Sequence, residues 1–377
     1  MVTTVLHRAY TEARPVLVGA TPGELRLLVE GWGEPAYRAR QIAHWIYQEF
    51  VFDPGAMHDL PASLRERLAR ETVILPLEAV LERSADGGLT HKALLRLGDG
   101  SLIEAVLMRY PGTARSRPRN TVCVSSQVGC AVGCPFCATG MLGLKRHLTA
   151  GEIVGQVLYF ARRLREIEGD NARITNVVLM GEGEPLANFG NVWRAIELLH
   201  APEAIGLGAR RVTISTSGLA PRIRELAAKP LQVGLAVSLH APTDDLRDRL
   251  VPVNRKYRIA SVIDACRAYV AATRRRISFE YAMIRDVNDS IAQARMVAQL
   301  LDGLLAHVNL IPLNRVPGSP FEPSPWSRIL AFQRTIQEHG ISCTIREERG
   351  SEIDGACGQL RAALAEDHLA PRASSGV

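Results

Sequence analysis

Residues 130–140 of this 377-residue chain read CAVGCPFCATG, so Cys130, Cys134 and Cys137 form a C-x3-C-x2-C run. A structural zinc site takes four ligands, usually as two separated C-x-x-C pairs or with histidines at set spacing. Here Cys134 and Cys137 make one such pair and no second pair lies downstream, although His147 would complete a Cys3His set. Electron-transfer cubane clusters are held by four cysteines. Three sulfurs allow another arrangement, in which protein ligates three irons and the fourth stays open to nitrogen and oxygen donors of a bound molecule.

Four more cysteines lie outside the run: Cys123, Cys266, Cys343 and Cys357. In a chain with no export signal, clustered cysteines point to metal or redox chemistry before structural disulfides. Cys266 falls in the helical pattern SVIDACRAYV and Cys343 in the strand-like SCTIRE, so both read as buried, inert thiols. Cys357 stands in IDGACGQL between Gly355 and Gly358, and Cys123 sits on a strand-like run ahead of Cys130; taken singly, either thiol is equally at home in a core. The segment GEGEP, residues 181–185, is not a dinucleotide fingerprint, because Leu186 occupies the third glycine position of G-x-G-x-x-G.

The elements that must position these residues follow from the hydrophobic pattern. Helical stretches broken near Pro22, Pro35 and Pro61 make residues 1–74 a small helical domain. In residues 75–115, HKALLRLGDGSLIEAVLMRY alternates around Gly98-Asp99-Gly100 and predicts a short β hairpin, followed by the basic linker PGTARSRPRN. From 116 to 350 strand and helix alternate, with strands expected at TVCVSS, NVVLM, RVTIST, GLAVSL, ISFEYAMI, VNLIPL and SCTIRE. Thr149 and Glu152 form a capping box ahead of Ile153, Val157, Phe160 and Leu164 at helical spacing. Such units build a parallel α/β sheet or barrel. The cysteine run, GEGEP, Ser217-Gly218, His240 and Asn314 all fall at or past the carboxyl ends of expected strands, where such folds gather their active-site loops. Residues 351–377 form a terminal segment carrying Cys357.

Apolar content of 47% and charged content of 22% are those of an ordinary globular protein. The start of the chain lacks the apolar run of a signal peptide, and no stretch of roughly eighteen apolar residues is present, so the expectation is a cytoplasmic protein with no membrane partner. Net charge is +6 and lysine occurs only at 92, 145, 229 and 256, so arginine carries the positive charge. Guanidinium forks suit RNA phosphate, and a GC-rich genome produces the same bias. Arginines cluster at 109–119, 162–165 and 274–276; the first, as the linker ahead of Cys123, reads as the better RNA contact.

With these residues in place the chain resembles the radical S-adenosylmethionine (SAM) superfamily, in which the amino acid end of SAM chelates the open iron of a 4Fe-4S cluster and an electron from the cluster yields a 5′-deoxyadenosyl radical. Phe136 beside Cys137 fits that pattern. VSSQVGCAVGCPFCATG, LTAGEIVGQV, VVLMGEGEPLAN, TISTSG, AVSLHAPTDDLRDRLVPVN, FEYAMIRDVNDS, VNLIPLNRVPGSP and IDGACGQL together are similar to the adenine-C2 RNA methyltransferases acting on 23S rRNA and often on tRNA. The resemblance implies an incomplete parallel (β/α)6 barrel of the TIM type, with the helical domain and the hairpin as additions.

It also implies roles, residue by residue. Cys130, Cys134 and Cys137 would hold the cluster. Cys357 would accept a methyl group from one SAM, because adenine C2 is electrophilic and a sulfonium methyl cannot reach it directly; covalent catalysis divides the step. A second SAM would activate that S-methyl group, and Cys123 would take the C2 proton and release the product through a transient disulfide with Cys357. Glu104 matches a proton acceptor, although its place on a hairpin is equally that of a solvent-facing carboxylate. Gly183, Glu184, Ser215, Ser238, Leu239, His240 and Asn314 match SAM contacts. Glu182 stands where the family usually has methionine, and is expected to face solvent or pair with an arginine. The family suggests a flavodoxin-like electron donor and a monomer. A sister branch that methylates adenine C8 and confers antibiotic resistance shares both reactive cysteines; rivals from other classes are a non-catalytic metal-binding RNA-binding protein and a radical SAM activase acting on a partner protein.

Overall fold

The computed structural model of the chain describes residues 14–113 and 117–346. Cys357 and its segment lie outside the described residues.

Three helices come first: α1 (Pro22–Gly31), α2 (Tyr37–Tyr47) and α3 (Ala62–Glu71). Pro22 opens α1, where no backbone donor is needed, behind a reciprocal capping box between Thr21 and Glu24. Pro61 caps α3. The apolar faces of these helices, with Ile42, Ile46, Leu64 and Leu68 fully buried, join one core continuous with that of the following domain.

The expected hairpin is β2 (Thr90–Leu97) and β3 (Leu102–Tyr110), but it is neither two-stranded nor separate. It is preceded by β1 (Leu77–Ala85), which pairs antiparallel with β2, and β3 pairs antiparallel with β4 (Arg119–Cys123), the first strand of the parallel sheet. A short ribbon of β5 (Gln127–Gly129) and β6 (Leu144–His147) flanks the cysteine run and the single turn α4 (Ala138–Met141). The chain continues as α5 (Ala150–Glu168), β7 (Asn176–Leu179), α6 (Phe189–His200), β8 (Val212–Thr216), α7 (Ala220–Ala227), β9 (Gly234–Ser238), α8 (Asp244–Leu250), α9 (Ile259–Thr273), β10 (Ile277–Met283), α10 (Ile291–Leu300), β11 (Ala306–Pro312), α11 (Trp326–Glu338) and β12 (Ser342–Ile345). All seven expected strands are present, and the parallel part runs β4-β7-β8-β9-β10-β11-β12. This is the open β/α barrel, with six strands from β4 to β11 and the short β12 beyond.

Strand register sorts the two faces. Val122, Val177, Ile214, Val237, Phe279, Leu310 and Cys343 face the helices and are buried. Residues alternate along a strand and paired residues share a face. The pairs Val106 with Cys123, Cys123 with Val178, Val178 with Thr213, Ser215 with Ala236, and Ser238 with Glu280 therefore place Glu104, Cys123, Ser215, Ser238 and Glu280 together on the inner face. The α5 capping box forms as the sequence indicates, and Ile153, Val157, Phe160 and Leu164 point into the core.

Candidate functional site

The cysteine run leaves β5 at Gly129 and is pinned at its base. The Cys130 N–H donates to the Gly143 carbonyl at 3.0 Å, and Cys137 N–H to the Cys134 carbonyl at 3.1 Å. Gly129 has φ +77°, and a Cβ there would stand 1.8 Å from the Gly143 oxygen, so only glycine closes this loop. The segment between β4 and the loop is bound by buried amides. Gln156 of α5 accepts from Ser125 N–H at 2.8 Å and donates to its carbonyl at 3.0 Å, and Asn188 donates to the carbonyls of Ser126 and Leu148. These contacts fix the loop although its three cysteines are half-buried.

Burial pushes the Cys130 thiol up to about 12, and the charges of Glu184, Cys137 and Glu182 add to that effect. Cys134 is raised by burial and then by Cys137 and Cys130, so the three sulfurs lie within one another's field. Such a set holds thiolates only when a metal group supplies positive charge. Among the described residues no three His, Cys, Asp or Glu side chains are grouped as a single ion requires. A cubane instead takes each sulfur on a separate iron, which fits this donor set. His147, the residue that zinc would need, has its ring Nδ1 2.9 Å from the Gln127 amide nitrogen.

Around the loop, buried polar groups knit the strand ends. Burial raises the Glu184 carboxyl, and it accepts from Ser217 N–H at 2.6 Å, Ser217 Oγ at 2.7 Å and Leu186 N–H at 3.0 Å. Gly183, at φ +101°, lets Gln127 pack where a Cβ would sit 2.5 Å away. His240 has φ +57° and is buried; its Nδ1 accepts from Ala282 N–H at 3.0 Å, which leaves the proton on Nε2, and its ring meets Phe136 edge to face at 5.1 Å. Burial, with the Arg247 charge, pushes the imidazole down to about 3, so it stays neutral. Leu239 spends its N–H on Glu280 and its carbonyl on Arg247, and its side chain lies in the core. Ser215 and Ser238 are half-buried on the inner face, and Asn314 is exposed just past β11.

Two expectations about carboxylates change. Glu104 is not solvent-facing: it is 3% exposed, and its Oε2 lies 2.9 Å from Nζ of the equally buried Lys92. Glu182 does not face solvent; it is 1% exposed, and its carboxylate accepts from the N–H groups of Glu104 and Gly129 at 3.2 Å each.

Three residues that the sequence reading passed over belong here. Lys92 is the partner of Glu104. Arg247, wholly buried, donates to the carbonyls of Leu239, Ser217 and Ser238 and to Asn254 Oδ1, tying the ends of β8 and β9 together. Glu280, whose carboxyl burial raises, accepts from Asn309 Nδ2 at 2.8 Å on the inner face. A charge inside an apolar run, as in HKALLRL and ISFEYAM, was the available signal. Cys266 and Cys343 are core thiols, each pushed up to about 12 by burial.

Of the arginine clusters, the described part of the first leads into the amino end of β4, where Arg119 lies over the Tyr110 ring. Arg162 and Arg163 pair with Glu166, and Arg165 lies over the Phe50 ring. Arg274, Arg275 and Arg276 line a cavity of about 530 Å³ beneath β8, β9 and β10, at the amino ends of these strands. Arg249, Arg255, Lys256 and Arg285 are exposed instead on segments that follow the carboxyl ends of β9 and β10.

Residues 124–295 match the family model of the Radical SAM superfamily, and residues 16–74 that of the ribosomal RNA large subunit methyltransferase N-terminal domain. A probable dual-specificity RNA methyltransferase RlmN of Roseiflexus castenholzii is 45% identical, covering 96% of this chain and all of that protein. Its namesake from Salinispora tropica is 51% identical over 89% of this chain and 90% of that one. The crystal structure of a radical SAM methyltransferase from Sphaerobacter thermophilus superposes with a TM-score of 0.88 at 52% identity, covering 92% of this chain and 99% of that one. Three cysteines at the rim of an open parallel barrel, a matching amino-terminal module and identity sustained over nearly the whole chain have one reading: the chain belongs to the RlmN family of radical SAM RNA methyltransferases.

Proposed function

We propose that this enzyme methylates C2 of a specific adenosine in 23S rRNA and of an adenosine in tRNA, using two SAM molecules and an S-methyl group on Cys357. The observation that carries the reading is the shared inner face: Cys123 and Glu104 stand on neighbouring strands, on the same side of the sheet. Cys130, Cys134 and Cys137 would hold the 4Fe-4S cluster, and Gly183, Glu184, Ser215, Ser238, Leu239, His240 and Asn314 would hold SAM. When bound, cluster and SAM supply the single electron and the hydrogen-abstracting power that an inert S-methyl group requires.

The protein's own part is positioning and proton transfer. Neutral His240 offers a fixed Nε2–H donor beside Phe136. Arg247 holds the rim and places a cation near Cys134. Glu104, paired with Lys92, would act as proton acceptor near Cys123, which would take the C2 proton and expel the product by forming a disulfide with Cys357. Residues 16–74 would support RNA, a flavodoxin-like protein would deliver the electron, and the enzyme would work as a cytoplasmic monomer. Among the described residues no helix is long and apolar enough to cross a membrane.

The test is anaerobic turnover with SAM, reductant and unmodified rRNA or tRNA, followed by nucleoside mass spectrometry. Formation of 2-methyladenosine is expected. The 8-methyl isomer would assign the chain to the other branch, and a colourless protein that releases no 5′-deoxyadenosine would end the radical reading.

A further inference from the structure

Glu280 is a buried carboxyl on the inner wall that the reaction as described does not use. Register sets its neighbours: it pairs with Ser238 on β9 and with Asn309 on β11, and Asn309 pairs with Thr344 on β12. Paired residues share a face, so Ser238, Glu280, Asn309 and Thr344 form one polar row across the inner wall. Hydrogen bonds run along part of that row. His307 Nε2 lies 2.8 Å from Thr344 Oγ1, which donates to Asn309 Oδ1 at 3.2 Å, and Asn309 Nδ2 donates to Glu280 Oε2 at 2.8 Å. The Glu280 carbonyl also accepts from Leu239 N–H at 3.0 Å.

The chain of side-chain bonds stops at Oε2. Among the described residues Glu280 Oε1 has no hydrogen-bond partner, although the residue is only 6% exposed. A polar atom so placed costs stability unless something meets it. The wall around it is where the SAM contacts are expected: Ser215 and Ser238 stand on the same face on β8 and β9, and Asn314 follows β11. A molecule that touches Ser238 and Asn314 together must span β10, the strand that carries Glu280. The amino acid end of SAM belongs at the open iron by the cysteine loop, next to β4 and β7, so the sheet order β4-β7-β8-β9-β10 points its nucleoside end toward Glu280.

Chemistry narrows the group further. Asn309 occupies Oε2 whether the carboxyl is ionised or neutral, so Oε1 is an acceptor in the first case and an O–H donor in the second. A ribose hydroxyl both donates and accepts and therefore matches either form, whereas an amino group only donates.

We propose that Glu280 is a SAM-binding residue: its Oε1 shares a hydrogen bond with a ribose hydroxyl of the cofactor, and Asn309 and Thr344 hold the carboxyl in place for it. No covalent step is involved. The inference rests on the SAM site of the proposed function and on no particular ionisation of Glu280.

The experiment is equilibrium binding of SAM, and of its 2′-deoxyribose and 3′-deoxyribose analogues, to anaerobically reconstituted enzyme without reductant, for wild type, Glu280→Met and Glu280→Gln. Wild type is expected to bind one of the two analogues about tenfold more weakly than SAM, the size of one hydrogen bond to a buried carboxyl. Glu280→Met is expected to lose about tenfold for SAM and almost nothing for that analogue, because two changes to one contact do not add. Glu280→Gln, whose amide can donate to the hydroxyl while its oxygen keeps Asn309, is expected to stay within about threefold of wild type. If Glu280→Met weakens SAM and both analogues equally, the carboxyl only supports the wall and the proposal is overturned. Wild type that binds both analogues as tightly as SAM overturns it as well, and that result needs no variant to fold. So does an unchanged SAM affinity with a raised KM for RNA, which would turn the carboxyl toward the RNA. In each of these cases the enzyme assignment stands; wild-type protein that carries a full 4Fe-4S cluster and binds no SAM refutes that assignment.

Discussion

Lys92 and Glu104 form an ion pair in which both side chains are almost wholly buried. Removing one partner takes a counter-charge from the other in low dielectric, whereas removing both removes the charges together. Lys92→Met is expected to destabilise the protein by about 3–5 kcal/mol in urea unfolding, and Lys92→Met with Glu104→Leu by clearly less. His240 makes a prediction of opposite chemistry. It is neutral in the fold down to about pH 3, whereas an unfolded histidine takes a proton near pH 6.5. The unfolded state therefore binds the extra proton, and stability falls as pH drops through that window, by up to roughly 1.4 kcal/mol per unit. In cluster-free protein, His240→Asn is expected to flatten the loss of urea midpoint between about pH 6.5 and about pH 5. At the reactive thiols, Cys357→Ala is expected to abolish RNA methylation while keeping the iron. Cys123→Ala is expected to leave RNA covalently attached at Cys357, seen as a shifted band on a denaturing gel, because the thiolate that would release it is missing.

At the scale of elements, the cysteine loop depends on a backbone conformation and not on its sulfurs alone. Gly129→Ala puts a Cβ into the Gly143 carbonyl at a positive φ, so iron content after reconstitution is expected to drop several-fold with the barrel still folded by circular dichroism. A second joint is Arg146, which grips both oxygens of Glu152 at 2.8 Å and Asp99 at 2.9 Å, fastening the hairpin turn to the start of α5. That guanidinium holds the Asp99 carboxyl well below the usual carboxylate range. The joint stabilises the protein above the ordinary aspartate pKa and is lost as pH falls below it. The strands, α5 and its cap were legible because local pattern determines them. The third antiparallel strand, β1, was not: Leu77–Ala85 has an irregular burial pattern and a register shift, so it carries no clean alternation.

For the whole molecule, the question is which face meets RNA. Composition offered forty-five basic residues without saying where they stand. Topology separates them by barrel end. Arg255 and Lys256 stand on the segment that follows the carboxyl end of β9, and Arg274 and Arg276 stand at the opposite end. Each lost phosphate contact reduces the slope of log affinity against log salt by about one. Arg255→Ala with Lys256→Ala is therefore expected to weaken RNA binding and reduce that slope by about two, while Arg274→Ala with Arg276→Ala leaves it unchanged.

Sulfur spacing, strand and helix periods and the capping box at Thr149 are short-range facts, and chemistry tied to short-range spacing can be read directly from the chain. That is why the three-cysteine site, the order of the barrel strands and the inert character of Cys266 and Cys343 were visible in the sequence. The pairing of Lys92 with Glu104, the reach of Arg247 across two strand ends and the inward turn of Glu182 join residues far apart in the chain. Only strand register and burial decide such contacts, because a buried charge takes whichever partner the packed barrel brings to it.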